Sequence, residues 1–388
     1  MDILCINSGS SSLKIALYRM SSAGELLLAE GAVEDIGQPA GRIWLRAGDK
    51  SRAEESGKFP DHQTALRAAL EKFAAQGFSA FDGAGHRLVS GGPRYLEPCL
   101  IDADFRAHIG ESLPFAPLHL GAEIAAIDAI AALFGQLPQV ACFDTSFHRD
   151  MPERASRLPL PRSFWDEGVR NYGFHGLSFE YIVSALDGAP GRTVIAHLGN
   201  GASLAAVRDG KPVDTTMGLT PTAGLVMGSR CGDLDPGVLL YLINQKYGEA
   251  AQLERLLNEQ SGLLGISGIS SDMQKLLEER AREPNAAQAI EFFCYSARKH
   301  IASMAAALGG LDTLVFTAGI GEHAPEIRAE ICAQLGFLGI ELDALANAGN
   351  ERSIESSAST VRVLMIPTDE DRTIARHCYR LLGGVFTS

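Results

Sequence analysis

Five short stretches of this chain set a charged or proton-carrying side chain among small residues. Arg87 stands in GHRLVSGG, Asp144 and His148 in FDTSFH, His175 in NYGFHGLSF, and Arg230 in MGSRCGDLDPG. The chain opens ILCINSGSSSLK, where Asn7 and the run to Ser12 precede Lys14. Each stretch alone has an ordinary explanation. A lone Arg pairs with an acid or with solvent, a lone His is structural, and an Asp ending a strand caps a turn. Together they repeat one theme, in which apolar runs end in polar groups flanked by Gly. Phosphoryl transfer asks for that combination, because charge must be neutralised around a phosphoryl group and the reactants held in line.

Two readings fit the opening. One is a β-hairpin whose turn is rich in Gly and Ser. The other is a phosphate cradle, in which small residues let backbone N–H groups approach an anion while hydroxyls and Lys14 add donors and charge. The Walker loop is absent. AGIGEHA matches GxGxxA after an apolar run, with Glu341 about twenty residues on, as the dinucleotide fingerprint asks. That points to an NAD-dependent dehydrogenase. Too little chain follows Gly319 for a full doubly wound sheet. The milder reading is that Gly319 and Gly321 let the backbone lie close to a nucleotide at a helix N-terminus.

These groups need elements to hold them. The pattern predicts strands over 3–7, 13–20 and 25–36, a helix over 62–75, and a strand over 84–89. LHLGAEIAAIDAIAALF has helical periodicity, and PQVACFD (138–144) reads as a buried strand. RTVIAHLGNGASLAAVRDG reads as strand, small-residue turn, strand, and loosely repeats the opening, with Ser12-Leu13 over Ser203-Leu204. A long helix follows over 285–308, then a strand over LDTLVFTAG running into a helix over IGEHAPEIRAEICAQL. The tail VRVLMIPTDEDRTIARHCYRLL is strand, turn, helix, and 350–360 is a Ser-rich loop. This alternation predicts an α/β fold.

Bulk properties narrow the partners. The chain has 388 residues, enough for one large or two ordinary domains. A net charge of −13 disfavours nonspecific nucleic-acid or anionic-membrane binding. Cys5, Cys99, Cys142, Cys231, Cys294, Cys332 and Cys378 are scattered and odd in number, so neither a disulfide framework nor a zinc site is expected. No secretory leader and no membrane span is expected, which makes the cytoplasm the simplest location.

The opening ILCINSGSSSLK resembles the N-terminal signature of the acetate kinase (acetokinase) family, and VIAHLGNGASLAAV resembles its second signature. FDTSFH, YGFHG, MGSRCGDLDPG, SGLLGISGISSD, VFTAGIGE and IPTDE resemble further family blocks in order, from Asn7 to Glu370. The resemblance implies two actin-like ATPase (ribonuclease H-like) α/β domains with an active-site cleft between them. The first is 1–148 plus 369–388, completed by the C-terminal helix; the second is 149–368, nucleotide-binding and dimer-forming. It implies reversible transfer of the ATP γ-phosphoryl group to acetate by a cytoplasmic homodimer.

The same resemblance assigns roles. Asn7 and Glu370 would hold magnesium, with manganese the alternative. Ser10, Ser12 and Lys14, with His197, Leu198, Gly199, Asn200 and Gly201, would meet nucleotide phosphates. Asp272, Met273 and Gln274 would meet the nucleoside, and Gly319, Ile320, Gly321, Glu322 and His323 the adenosine. Arg87 would grip the substrate carboxylate, since a planar guanidinium can bind both oxygens. His175 and Arg230 would stabilise the transferring phosphoryl group. Asp144 is the family's catalytic carboxylate. A carboxylate is already ionised at neutral pH, so it is expected to act through magnesium, water or Arg87 rather than as a base. Val89, Leu118, Phe174 and Pro221 match the acyl pocket. Val89 is bulky, and one methylene is worth roughly 1–3 kcal/mol there, so acetate is expected over propionate.

The chain also departs from the family pattern. Ser90 replaces a His, PLHLG keeps His119 but loses an Asn-Pro, and Phe179 replaces a His. Gln274 stands where an Arg could lie against a base, and His323 where an Asn is usual. These changes leave open the donor (ATP, another nucleotide or pyrophosphate), and a kinase for propionate or a longer acid is a separate alternative. A noncatalytic nucleotide-binding relative is the remaining alternative.

Overall fold

The structure, a computed structural model, describes residues 1–9, 11–48, 51–115, 120–188 and 191–384. The chain folds as two units. One runs from Met1 to Arg149 and takes back the chain from Asp369 onward; the other is Asp150–Thr368.

The first unit is built on a sheet of β5-β4-β3-β2-β1-β6-β8-β7. Its strands are β1 (Asp2–Ser8), β2 (Ser12–Ser21), β3 (Gly24–Glu34), β4 (Gly41–Ala47), β5 (Ala53–Gly57), β6 (Gly83–Leu88), β7 (Cys99–Leu100) and β8 (Gln139–Phe143). β1 to β5 form an antiparallel meander, while β6 joins β1, and β8 joins β6, in parallel.

Alternate residues along a strand face opposite sides. Leu4, Ile6, Leu13, Ile15 and Leu17 therefore point one way. They bury themselves with Leu66, Ala69 and Phe73 of the helix His62–Ala75 and with Ala126 and Ile130 of the helix Leu120–Phe134. The other face carries small residues at Cys5, Gly85 and Cys142. The C-terminal helix, Glu370–Leu381, lies there through Ile374 and Cys378. A Cβ on Gly85 would stand 2.4 Å from both Cys378 Sγ and Ile374 Cγ2, so only Gly admits the helix at this distance.

The second unit has the order β11-β10-β9-β12-β13, with β9 (Arg192–Leu198), β10 (Ala202–Arg208), β11 (Lys211–Thr215), β12 (Thr313–Thr317) and β13 (Arg362–Met365). It repeats the centre of the first unit. An antiparallel hairpin (β9–β10, as β1–β2) takes a later parallel strand (β12, as β6) against its first member. The helix Pro284–Leu308 packs on β9 and β10 through Ala286, Ile290, Phe293, Ala297, Ile301 and Met304, spaced by three or four residues. Pro284 opens it and Gly309, at φ 70°, closes it by donating to Ala305 O.

Several expectations need correction. β4, β5, β7 and β11 were not anticipated: β5 and β11 lie at sheet edges and carry no run of apolar residues, while β4, between β3 and β5, alternates buried Ile43 and Leu45 with exposed Arg42 and Arg46. The strand expected through Gly319 stops at Thr317, because Ala318 turns to φ 65°. The helix expected over IGEHAPEIRAEICAQL is two, Ala318–His323 and Pro325–Cys332. Pro325 has no N–H to continue the first. AGIGEHA is no dinucleotide loop either: both glycines lie inside a helix, and among the described residues β13 is the one strand of its sheet that follows.

Candidate active site

Strand register assembles one group of the expected residues, in the first unit. Asn7 pairs with Lys14 on β2 and with Arg87 on β6, and Arg87 pairs with Cys142 on β8. Paired residues share a face, so Lys14, Asn7 and Arg87 form a row at one end of the sheet. Asp144, two residues past Cys142, continues it. This is the face the C-terminal helix covers, and Glu370 begins that helix.

The row is joined by hydrogen bonds. Arg87 Nη2 donates to Asp144 Oδ2 at 2.6 Å, and Nε lies 3.1 Å from both carboxylate oxygens. Arg87 Nη1 donates to Asn7 Oδ1 at 3.1 Å, and Asn7 Nδ2 donates to Glu370 Oε2 at 3.2 Å. Asp144 is 1% exposed. Burial opposes the charge of Arg87, but Asp144 more than offsets this and holds it protonated. Of the five guanidinium N–H groups, these bonds leave one on each terminal nitrogen.

Asn7 and Glu370 supply an amide oxygen and a carboxylate, both partly exposed. Next to Glu370, Asp371 is half-buried, and its buried Oδ1 lacks a hydrogen-bond partner. Burial first, and Glu370 next, push its carboxyl up to about 7. Among the described residues no three His, Cys, Asp or Glu side chains gather as a metal cluster. Few and hard oxygen donors suit a magnesium-like cation, which keeps water and phosphate oxygens in its shell. The residues present fit such an ion.

A second group belongs to the second unit and centres on β9 and β10. Ser203 pairs with His197 across the hairpin, and Thr317 pairs with His197 across β12. His175 sits at φ 57° just before the helix Gly176–Ala185. Its Nδ1 lies 2.8 Å from Ser203 Oγ, and its ring stacks on His197 at 4.1 Å and 14°. His197 Nδ1 lies 2.8 Å from Ser178 Oγ, which accepts a bond from Thr368 Oγ1. A Cβ on Gly201 would stand 3.3 Å from His175 Nε2 and 3.5 Å from Arg230 Nη1. Gly201 thus keeps the space beside both groups open. Arg230 Nη1 also donates to Pro221 O at 3.0 Å.

Other expected residues are placed less suggestively. Leu198 and Met273 are core side chains and offer only backbone to a ligand. Asp272 caps the helix Met273–Glu279 by accepting from Gln274 N, and Gln274 Nε2 donates to Glu278 on the surface. Glu322 turns back to accept from Ala318 N and Thr368 N, while the His323 side chain is 78% exposed. Val89 and Phe174 are buried. His148 is buried in the short turn 146–150. Ser10, Leu118 and His119 lie outside the described residues. Ser178, Ser203 and Asp371 were not singled out in the sequence. Each reads there as an ordinary small or charged neighbour of a motif.

The acetokinase family model matches residues 2–376. An acetate kinase of Dichelobacter nodosus is 44% identical, with 98% of each chain covered. One of Rhodopseudomonas palustris is also 44% identical over 98% of each. The crystal structure of Porphyromonas gingivalis acetate kinase gives a TM-score of 0.86 at 36% identity, covering 98% of this chain and 99% of that one. A propionate kinase structure from Francisella tularensis gives 0.91 at 35% identity, with the same coverage.

Proposed function

The chain belongs to the acetokinase family, and from that premise we propose how its residues move a phosphoryl group between ATP and acetate. The protein is a phosphotransferase with a carboxyl group as acceptor, a nucleotide-using kinase of the actin-like ATPase class that needs a divalent metal. The reaction is reversible and gives acetyl phosphate and ADP.

The observation that carries the assignment of roles is the chain of bonds from Asp144 through Arg87 and Asn7 to Glu370. Asp144 holds one edge of the Arg87 guanidinium, and the remaining terminal N–H groups take the substrate carboxylate. Acetate carries no proton to remove at neutral pH, so Asp144 serves as the orienting anion of Arg87. Asn7 and Glu370 hold Mg2+, with Mn2+ as the alternative. The bound ion would neutralise charge on the nucleotide phosphates. Ser12 and Lys14 add donors at the same end of the sheet.

His175 and Arg230 stabilise the transferring phosphoryl group, and His197 with Gly199, Asn200 and Gly201 meets the phosphates. Preorganised donors are effective here because they need no reorientation as charge develops. Ser203 holds the Nδ1 side of His175, which leaves Nε2 beside the Gly201 gap. Val89, Phe174 and Pro221 bound the acyl group, with acetate preferred. Asp272 and Gln274, and the segment Gly319–His323, serve the nucleoside.

A homodimer is part of the same reading. The helix Pro236–Gln245 buries none of its residues, and Val238, Leu240, Tyr241 and Ile243 are exposed. A second copy of this chain would cover that apolar face. No described helix is long and apolar enough to cross a membrane, and we place the protein in the cytoplasm.

The test is steady-state kinetics with acetate, propionate and butyrate against ATP, GTP and pyrophosphate. The highest kcat/KM is expected for acetate with ATP. A higher value for propionate would reassign the acid, and a preference for pyrophosphate would reassign the donor.

A further inference from the structure

Glu123 is the buried acid that the roles above leave without a task. It lies in the first turn of the helix Leu120–Phe134 and is 1% exposed. Val89 N donates to both of its oxygens at 3.1 Å. Val89 is two residues past Arg87, where β6 ends and the chain turns away. The Glu123 carboxyl is therefore a clamp on the backbone that presents the arginine.

Its charge bears on the same arginine. Burial first pushes the carboxyl up to about 8; Arg87 and the Val89 N–H pull the other way, and Asp144 pushes further up. These are the charged groups that act on it, Arg87 from β6 and Asp144 from the end of β8. β1, the helix His62–Ala75 and the turn 109–115 also pack against this helix. They contribute no further charge that acts on Glu123 among the described residues. With its carboxyl pushed up to about 8, Glu123 is mostly uncharged at neutral pH, and the buried anion beside Arg87 is Asp144. Ionised, Glu123 would add a second.

We propose that Glu123 is a positioning residue: its carboxyl pins Val89 and the end of the strand presenting Arg87, and its charge state tunes the positive charge Arg87 offers to a substrate carboxylate. The proposal rests on the reading that Arg87 binds the acid. It predicts that a proton leaves Glu123 as the pH rises and that acid binding then weakens. The effect should fall on KM for acetate before kcat.

The experiment measures KM for acetate on wild type, Glu123→Gln and Glu123→Ala, roughly one pH unit below and above about 8. In wild type KM should rise roughly tenfold, the size of effect a nearby like charge commonly has on an ionic equilibrium. Glu123→Gln keeps an oxygen for Val89 N–H but cannot ionise, so its KM should stay level between the two pH values. Glu123→Ala loses the clamp, and its KM should be raised at both. Equal pH dependence in wild type and Glu123→Gln would overturn the proposal. A second readout does not need turnover. Infrared difference spectra should show a protonated-carboxyl band that titrates near 8 and is missing from Glu123→Gln. Without that band the proposal fails. Wild type making no acyl phosphate at any pH would instead overturn the assigned function, and the band alone would then decide the state of Glu123.

Discussion

Asp144 and Arg87 form a buried, two-pronged ion pair, with Nη2 2.6 Å from Oδ2 and Nε 3.1 Å from both oxygens. Asp144 is 1% exposed, so this pairing, not solvent, answers its charge. Removing one partner of such a pair strands the other charge in a poorly polarisable site. That commonly costs about 3–5 kcal/mol. Asp144→Ala should therefore lower stability by about that amount in urea titrations and abolish turnover. Asp144→Asn, of nearly the same shape, should fold more stably than Asp144→Ala yet remain inactive, because an amide does not hold the guanidinium as a carboxylate does. Full activity of Asp144→Asn would show that Asp144 is structural only.

Glu123 makes a separate prediction about stability. Its folded-state carboxyl titrates at about 8, well above an ordinary carboxylate. The folded protein therefore binds a proton that the unfolded chain has already lost. Stability from this group is full below the ordinary carboxylate range and declines as pH rises through about 8. Urea midpoints from about pH 5 to 9 should fall more steeply in wild type than in Glu123→Gln. Parallel curves would contradict a neutral Glu123.

Gly201 tests the space between His175 and Arg230. Its φ is not in the left-handed region, so Ala is acceptable to the backbone. The added Cβ would meet His175 Nε2 at 3.3 Å and Arg230 Nη1 at 3.5 Å. Gly201→Ala should keep stability within about 1 kcal/mol while kcat falls at least roughly tenfold. A small misplacement at a reacting centre commonly costs that or more. Unchanged kcat would mean the phosphoryl group does not pass there.

The uncovered helix Pro236–Gln245 predicts an oligomer that charge can break. Leu240 is 63% exposed and Tyr241 58%. Leu240→Asp should weaken self-association at least roughly tenfold, as central apolar anchors do when lost. Light scattering coupled to size exclusion would read it. A wild-type monomer, or an unaltered Leu240→Asp dimer, would remove this face from the interface.

How much was legible in the sequence follows from particular residues. Asn7, Arg87 and Asp144 stood out because each lies at or near the end of an expected strand, and strand register then puts them on one face. Cys5, Gly85 and Cys142 are far apart in the sequence and carry no shared motif. Their joint role, a small-residue bed for the C-terminal helix, appears only when the strands are aligned. Glu123 was invisible because a single acid in the first turn of an amphipathic helix is normally solvated. Its burial comes from where that helix meets the end of β6. Ser203 and Ser178 gave no signal of their own, because the histidines they hold come from other segments. Pro325 was visible and should have divided the helix over 318–335. β5 was hidden because an edge strand carries charged side chains, which guard an exposed edge.

The central claim is that Arg87, held by Asp144, receives the acid that becomes phosphorylated. The most direct measurement is trapping of the acyl phosphate with hydroxylamine, using acetate, ATP and magnesium, on wild type and Arg87→Ala. The account predicts acetyl hydroxamate from wild type and a loss of at least roughly a hundredfold in kcat/KM for acetate in Arg87→Ala, the scale of losing a charged contact in a dry site. Wild-type levels of product from a folded Arg87→Ala would contradict it.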